Sequence, residues 1–241
     1  LLQNGLTQTH QNNMGAFGGP DIITDGLMFA VDAGSTRSYP GTGTTVDSLV
    51  GSLTGTLTNG VGFSSVNSGT FVFDGTDDHI DTPGYDLGAG ELTISCWIYK
   101  SENAEASGEG IISKSSANKR EFHLRIEDSP LNTIQLWKSD TGAGAGNVFD
   151  TNIPIVLNEW QHIGVTMNTT NVEFYLNGEN VKSYSGNYTL FYSDAPIRIG
   201  GWSEGGGYYF NGKISKVNVY NTALTAAEVL QNYNAQKNRF I

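Results

Sequence analysis

The sequence predicts an all-β fold, a two-sheet antiparallel jelly-roll sandwich with one short C-terminal helix. Three observations predict it. Short apolar stretches separated by Gly-, Asn- and Asp-bearing turns recur from Leu27 to Tyr220, as strands joined by tight turns require. The composition is rich in glycine (31 residues) and poor in charge (15%) while aromatics reach 11%, which suits many short strands around a core and not a disordered chain. A helical pattern occurs once, at the end, so there is no strand–helix–strand alternation to build a parallel sheet. At 241 residues the chain is long enough for one large sandwich core that folds without staples.

Residues 1–20 (LLQNGLTQTHQNNMGAFGGP) are polar and glycine-rich without sustained period. They read as an extended N-terminal arm, ordered by a partner. The sandwich is assigned to residues 21–241. Leu27 to Asp32 is its first strand, closed by Ala33-Gly34. Strand-like pieces follow at 55–58, 61–66 and 69–73, with Asn59-Gly60 as a turn. Leu92 to Tyr99 is apolar on both faces, the mark of a central strand covered on both sides. Phe122, Leu124 and Ile126 alternate with His123, Arg125 and Glu127, as a half-buried strand should, and Ile134 and Leu136 repeat the pattern. Val172 to Leu176, Asn177-Gly178, and Val181 to Tyr184 read as a hairpin with a favoured two-residue turn. Ile197 to Ile199 and Lys213 to Tyr220 complete the strands, the last with a bulge near Lys216. Thr225 and Glu228 form a capping box, and Ala226, Val229, Leu230 and Tyr233 fall on one stripe of the helix they open.

The net charge of −11 excludes nucleic acid, which needs a basic stripe, and suits divalent cations. No stretch approaches the ~18 apolar residues of a membrane span, so no membrane insertion is expected, and residues 1–20 show no signal peptide. Starting at Leu1 rather than Met, the chain is read as a processed form or a fragment. Cys96 is the one cysteine. It lies in an apolar strand, so a buried, inert thiol is expected.

Five motifs then occur in order. They are Phe73-Asp74-Gly75-Thr76-Asp77-Asp78-His79-Ile80, Glu91 to Ile98 (ELTISCWI), Trp160 to Thr166 (WQHIGVT), Phe174 to Gly178 (FYLNG), and Gly212 to Asn221 followed by Ala223-Leu224-Thr225. Together they resemble the signatures of laminin-G-like domains of the concanavalin A-like lectin/glucanase superfamily, over about residues 21–236. Gly18 to Leu27, Val31 to Gly34, Ser38 to Gly41 and Val229 to Ala235 further resemble the variant found in virion structural proteins of tailed, notably marine, bacteriophages. The resemblance implies a non-catalytic component of a capsid, neck or tail fibre, located in the virion. Its implied partners are other virion subunits and host-surface polysaccharide, and it leaves homo-oligomerisation open. The alternative is a secreted, extracellular bacterial carbohydrate-binding module cut from a larger enzyme.

Asp74, Asp77 and Asp78 crowd one turn. One reading is a structural Ca2+ site, with Asp32 as a further ligand. The other is that these carboxylates accept turn N–H bonds. Gly200 to Tyr209 is glycine-rich and carries three aromatics. Trp202, Tyr208 and Tyr209 are candidates for stacking on a sugar ring or a partner, with Glu204 accepting from hydroxyls. Trp137 and Asp140, before the Gly142–Gly146 loop, form a second candidate. Trp97 and Trp160 are expected in the core, and His162 as a hydrogen-bonded structural histidine. Asn168-Thr169-Thr170 and Asn187-Tyr188-Thr189 are glycosylation sequons, meaningful in a eukaryotic secretory setting.

An enzyme is not expected. Retaining glycosidases of this superfamily set two carboxylates about 5 Å apart on one strand, with a Glu-x-Asp-x-x-Glu pattern. The nearest stretch, Glu121 to Asp128 (EFHLRIED), has Arg at the fifth position and lacks the central Asp. The four histidines show no metal spacing.

Overall fold

The computed structural model describes residues 21–88, 90–105, 108–128, 132–144, 146–204 and 208–241. The arm expected over residues 1–20 lies outside the described residues. The strands in chain order are β1 (Leu27–Asp32), β2 (Thr45–Asp47), β3 (Thr54–Thr58), β4 (Gly62–Ser64), β5 (Thr70–Asp74), β6 (His79–Gly84), β7 (Leu92–Tyr99) and β8 (Glu109–Lys114). They continue with β9 (Phe122–Glu127), β10 (Thr133–Ser139), β11 (Gly146–Pro154), β12 (Trp160–Met167), β13 (Asn171–Leu176), β14 (Glu179–Ser185), β15 (Pro196–Ile199) and β16 (Asn211–Tyr220), before helix α1 (Ala226–Gln236). Among the described residues no helix is long and apolar enough to cross a membrane.

Two eight-stranded antiparallel sheets form the sandwich. The first runs β14-β13-β12-β7-β16-β5-β4, with β1 also paired to β16; the second runs β11-β10-β9-β8-β15-β6-β3-β2. Period-2 side-chain placement fills the space between them. Ile94, Cys96 and Ile98 of β7 and Ile163 and Val165 of β12 meet Leu124, Ile126, Ile134, Leu136 and Ile197 of the second sheet in one buried cluster. Burial pushes the Cys96 thiol up to about 12, so it stays a neutral apolar filler.

The expected central strand is β7, buried from Leu92 to Ile98. Its other face carries Thr93, Ser95 and Trp97, each with a polar partner. Ser95 Oγ and His162 Nε2 lie 2.7 Å apart, the Thr93 hydroxyl donates to Thr222 O (2.6 Å), and the Trp97 indole N–H donates to Gln236 Oε1 (2.8 Å). The Trp97 ring stacks on Phe240 (4.2 Å) and Tyr233 (5.7 Å). The helix is thus the lid of the central strand.

The capping box at Thr225 and Glu228 is present in both directions. The docking stripe is rotated from the expected one. Leu230 is 43% exposed and Ala226 is exposed, whereas Val229, Asn232 and Gln236 are buried. The reason is hydrogen bonding: Asn232 accepts from Ile23 N (2.8 Å) and donates to the Tyr220 hydroxyl (3.1 Å), while Gln236 serves Trp97. Buried amides with partners displace apolar residues from the interface. Trp160 also departs from expectation. It is half-buried at the start of β12, packed on Phe240 and donating to Asn67.

The bulge in β16 is real and centres on Ser215, where the register to β7 shifts between Ile214 and Lys216. The Asn177-Gly178 turn has positive φ at both residues (51° and 82°), which a right-twisted two-residue hairpin requires.

His162 in the first sheet and His123 in the second are both buried, and burial drives each imidazole down to about 3, helped at His123 by Arg125. A base held neutral in the fold but free to protonate when unfolded loses stability on acidification. The loss begins below the unfolded value of about 6.5 and runs until the folded value is reached. Each histidine should remove about 1.4 kcal/mol per pH unit in that window. Denaturant unfolding between about pH 7 and about pH 4.5 should therefore show a slope approaching 2.8 kcal/mol per unit. His162→Gln should halve it, and an unchanged slope in that variant would refute the assignment.

Candidate functional site

The register of the second sheet lines up one outward row. Trp137 of β10 pairs with His123 of β9, His123 with Ser113 of β8, Ser113 with Arg198 of β15, and Arg198 with Asp81 of β6. A parallel row holds Asp150, Gln135 and Arg125. This face points away from the core because each residue alternates with a buried apolar neighbour.

The segment after β15 lies back along β8 as a strap. Tyr208 O accepts from Gly110 N (2.8 Å), Gly201 O from Ser113 Oγ (3.0 Å), and the Ser203 hydroxyl donates to Ser115 O. Gly110 is needed here. A Cβ on it would stand 2.6 Å from His123 Nε2 and 2.7 Å from the Gly201 carbonyl carbon.

Both aromatic candidates converge on this face. The Trp202 ring stacks on His123 at 5.3 Å, meets the edge of Tyr208 at 5.2 Å, and lies 6.3 Å from Trp137. Its indole N–H donates to Ser115 Oγ (3.3 Å), and the Arg120 guanidinium sits 5.8 Å from its centroid. Trp202 is therefore half-buried and fixed, not a free paddle on a glycine loop. Tyr208 is crossed by Arg125 at 5.9 Å, and Tyr209 stacks on His79 at 6.0 Å. Residues 205–207 lie outside the described residues.

Each cation of the face has an anion. Arg198 grips both Asp81 carboxylate oxygens at 2.7 Å. Burial raises the Asp81 carboxyl, but Arg198 and His79 overcome it and hold it down at about 2. Arg125 pairs with Glu127 (2.6 Å) and Gln135, and Gln135 donates to Asp150 (3.1 Å). Arg120 pairs with Glu204. Glu204 was expected as a free acceptor. Instead one oxygen holds Arg120, and the other is buried without a partner among the described residues. Asp140 does not stand beside Trp137. It holds the buried Lys138, which also reaches Thr189 O and the ring of Tyr188.

The acidic turn between β5 and β6 forms a separate constellation. One carboxylate oxygen from each of Asp74, Asp77 and Asp78 lies within 4.8 Å of the others. Asp74 Oδ1 accepts from Thr76 N (2.8 Å) and Asp78 Oδ2 from Asp74 N (3.1 Å), as turn-capping carboxylates do. Asp78 is 3% exposed, and its Oδ1 has no partner among the described residues. Burial, then the charges of Asp74 and Asp77, push its carboxyl up. Asp32 does not join the cluster. It lies in β1 between Lys216 (3.0 Å) and Arg239, which neutralise it, and these cations outweigh burial and lower its carboxyl.

Sequence reasoning missed His123, Ser115, Arg120 and Arg125 as parts of the face. The alternation of β9 already put His123 and Arg125 outward; the pairing of His123 with Trp137 is the signal that joins them to the aromatic loops.

A profile of the concanavalin A-like lectin/glucanases superfamily matches residues 74–230. A search of curated protein sequences finds no match. Among solved structures, domain 4 of AbnA, a GH43 extracellular arabinanase from Geobacillus stearothermophilus in complex with arabinotriose, superposes with a TM-score of 0.65 at 17% identity, covering 86% of this chain and 98% of that one. The binding domain of Paraclostridial Mosquitocidal Protein 1 gives a TM-score of 0.69 at 18% identity over 87% of this chain. The botulinum neurotoxin serotype D ligand binding domain in complex with N-acetylneuraminic acid gives 0.67 at 15% over 88%. This chain spans about half of either toxin domain, 52% and 51%. At these identities the likeness speaks for the fold, and the profile, covering more than half of the sequence, speaks for the family: this chain belongs to the concanavalin A-like lectin/glucanase superfamily.

Proposed function

We propose that this chain is a non-catalytic recognition domain of a virion, whose second-sheet face binds uncharged stretches of host-surface polysaccharide. Its arm and loops would dock neighbouring virion subunits. The observation that carries the binding reading is the convergence of Trp137, Trp202 and Tyr208 on one sheet face, with Gln135, Asp150 and the paired arginines beside them. Aromatic rings supply stacking surface for the apolar faces of sugars, and the fixed amide and carboxylate groups supply hydroxyl partners. With Arg120, Arg125 and Arg198 each neutralised, the face offers no unpaired cation to an acidic glycan.

The arabinotriose-bound arabinanase domain of the same fold supports this ligand class; the toxin domain, bound to an acidic sugar, supports glycan binding by the fold but not the uncharged preference. The virion setting is supported by the resemblance of Gly18 to Leu27, Ser38 to Gly41 and Val229 to Ala235 to tailed-phage structural proteins. The non-catalytic reading is supported by the commitments of the closest carboxylates: Glu121 is buried against Lys114 (2.6 Å) and Glu127 is paired with Arg125. A second reading, a secreted bacterial carbohydrate-binding module, is favoured by the near-complete coverage of the arabinanase domain. The surrounding coding sequence separates the two, as virion proteins beside it or a catalytic domain in the same chain.

Trp137→Ala should weaken binding on a polysaccharide array about tenfold with the melting temperature unchanged. Trp202→Ala should weaken binding and also cost about 1–3 kcal/mol of stability, because it uncovers His123. Array binding indifferent to Trp137→Ala would overturn the sheet-face reading.

We further propose that Asp74, Asp77 and Asp78 hold a structural calcium ion. Ca2+ takes oxygens at about 2.3–2.6 Å, so three oxygens within 4.8 Å of one another fit a single sphere, and the unpartnered Asp78 Oδ1 gains a partner. A ligand bound to the folded state alone raises its stability. Excess chelator should lower the melting temperature, added calcium should restore it, and Asp78→Asn should abolish the response; a melting curve unmoved by chelator would sink the site.

A further inference from the structure

We propose a second ligand site on this domain, a pocket for one uncharged sugar ring, set among loops at the ends of first-sheet strands and not on the Trp137 face. β7 begins at Leu92 opposite Met167, the last residue of β12, and β13 begins at Asn171 opposite Ser185, the last residue of β14. The connections leaving these strand ends meet around a cavity of about 250 Å3, lined by Gly90, Met167 to Thr169, Tyr188 to Leu190 and Tyr192. It is smaller than the ~300 Å3 lower bound of drug-sized sites, which suits a monosaccharide unit.

The chemistry of the lining selects the ligand. Met167 and Leu190 are buried apolar residues, and Tyr188 and Tyr192 add two half-buried rings. Rings suit the C–H face of a sugar. Around them stand Asn168, Thr169 and Thr189, whose hydroxyl and amide groups face a polyhydroxylated edge. Asn168 is already turned for the task. Its Oδ1 accepts from Thr170 N (2.9 Å) and Asn171 N (2.8 Å), so its Nδ2 has no partner among the described residues. Among the described residues no charged side chain lines the cavity, in a chain of net charge −11. The lining itself thus offers an anion no cation and a cation no carboxylate, and the nearby Lys138 ammonium is already paired with Asp140.

The pocket is held open by contacts independent of any ligand. Tyr188 N donates to Thr169 O at 2.8 Å, tying two of its loops together. The Tyr188 ring is braced edge-on by Phe149 (5.2 Å) and by the Lys138 ammonium, 5.8 Å from its centroid. The Tyr192 hydroxyl accepts from Gly90 N, tying in the third loop. A preformed site loses little ordering entropy on binding.

The test is saturation-transfer NMR on the full chain with the methyl glycosides of glucose, galactose and mannose, and glucuronic acid as the charged control. Transfer is expected to at least one neutral glycoside and not to glucuronic acid. Asn168→Asp keeps the turn-capping oxygen and removes the free donor; Thr189→Val removes a hydroxyl at constant shape. Each should weaken binding about five- to tenfold without moving the melting temperature, and Trp137→Ala should leave this binding intact. Absence of transfer at millimolar glycoside, equal binding of glucuronic acid, or binding indifferent to both pocket variants would overturn the proposal. Loss of all transfer in Trp137→Ala would overturn it while leaving the sheet-face reading standing.

Discussion

The register of five adjacent strands in the second sheet is the constraint on which the aromatic face depends. Trp137, His123, Ser113, Arg198 and Asp81 come from β10, β9, β8, β15 and β6, and they stand in one row because each strand is aligned to its neighbour residue by residue. A slip of one residue in β9 would send His123 and Arg125 into the core and bring Leu124 to the surface. The core prevents it, since Phe122, Leu124 and Ile126 are all fully buried. Packing on one side of the sheet therefore fixes chemistry on the other. The strap follows from the same row: Trp202 lies flat because His123 offers a neutral ring, and it lies close because Gly110 has no side chain.

Charge pairing then sets what that face can hold. An unpaired guanidinium would attract acidic ligands, but Arg198, Arg125 and Arg120 are each matched by a carboxylate on the neighbouring strand, on the same strand or on the strap. These pairs are partly buried, with side-chain exposures between 9% and 34%. Their structural consequence is orientation: the bidentate Arg198–Asp81 contact immobilises two outward side chains beside the aromatic cluster. Burial of His123 works in the same direction, because a ring pinned in the neutral form gives Trp202 an uncharged stacking partner over the physiological range.

Much of the fold was legible because its signals are local. The alternation of β9, the two-sided burial of β7, the Asn177-Gly178 turn and the Thr225–Glu228 box all sit within a few residues of chain. β8 and β11 were not legible. β8 buries Glu109, Ser113 and Lys114 along with its apolar residues, and their polarity hides its strand pattern; the Lys100–Glu109 and Lys114–Glu121 pairs that permit this burial join residues 9 and 7 positions apart across loops. β11 is an edge strand with Val148 outside, so its alternation is weak. At the site, the sequence pointed to Trp137, Trp202 and Tyr208 separately. It was silent on their meeting, since register between non-neighbouring strands is a property of the closed sheet. Asp32 went the same way: its cations, Lys216 and Arg239, lie 184 and 207 residues along the chain.

A sandwich of this kind is a scaffold that many functions share, so what it can recognise depends on which side chains the scaffold leaves outside. Here it leaves aromatics in two chemically similar settings. On the sheet face they lie over strands, fixed by inter-strand register; in the Tyr188–Tyr192 pocket they lie between loops, fixed by backbone hydrogen bonds across loop tips. Neither setting offers an unpaired cation among the described residues, within a strongly acidic molecule. The acidity is elsewhere, concentrated in part at the Asp74–Asp78 turn. Substituting one side chain at either aromatic setting leaves the other intact, because their supporting contacts have no residue in common.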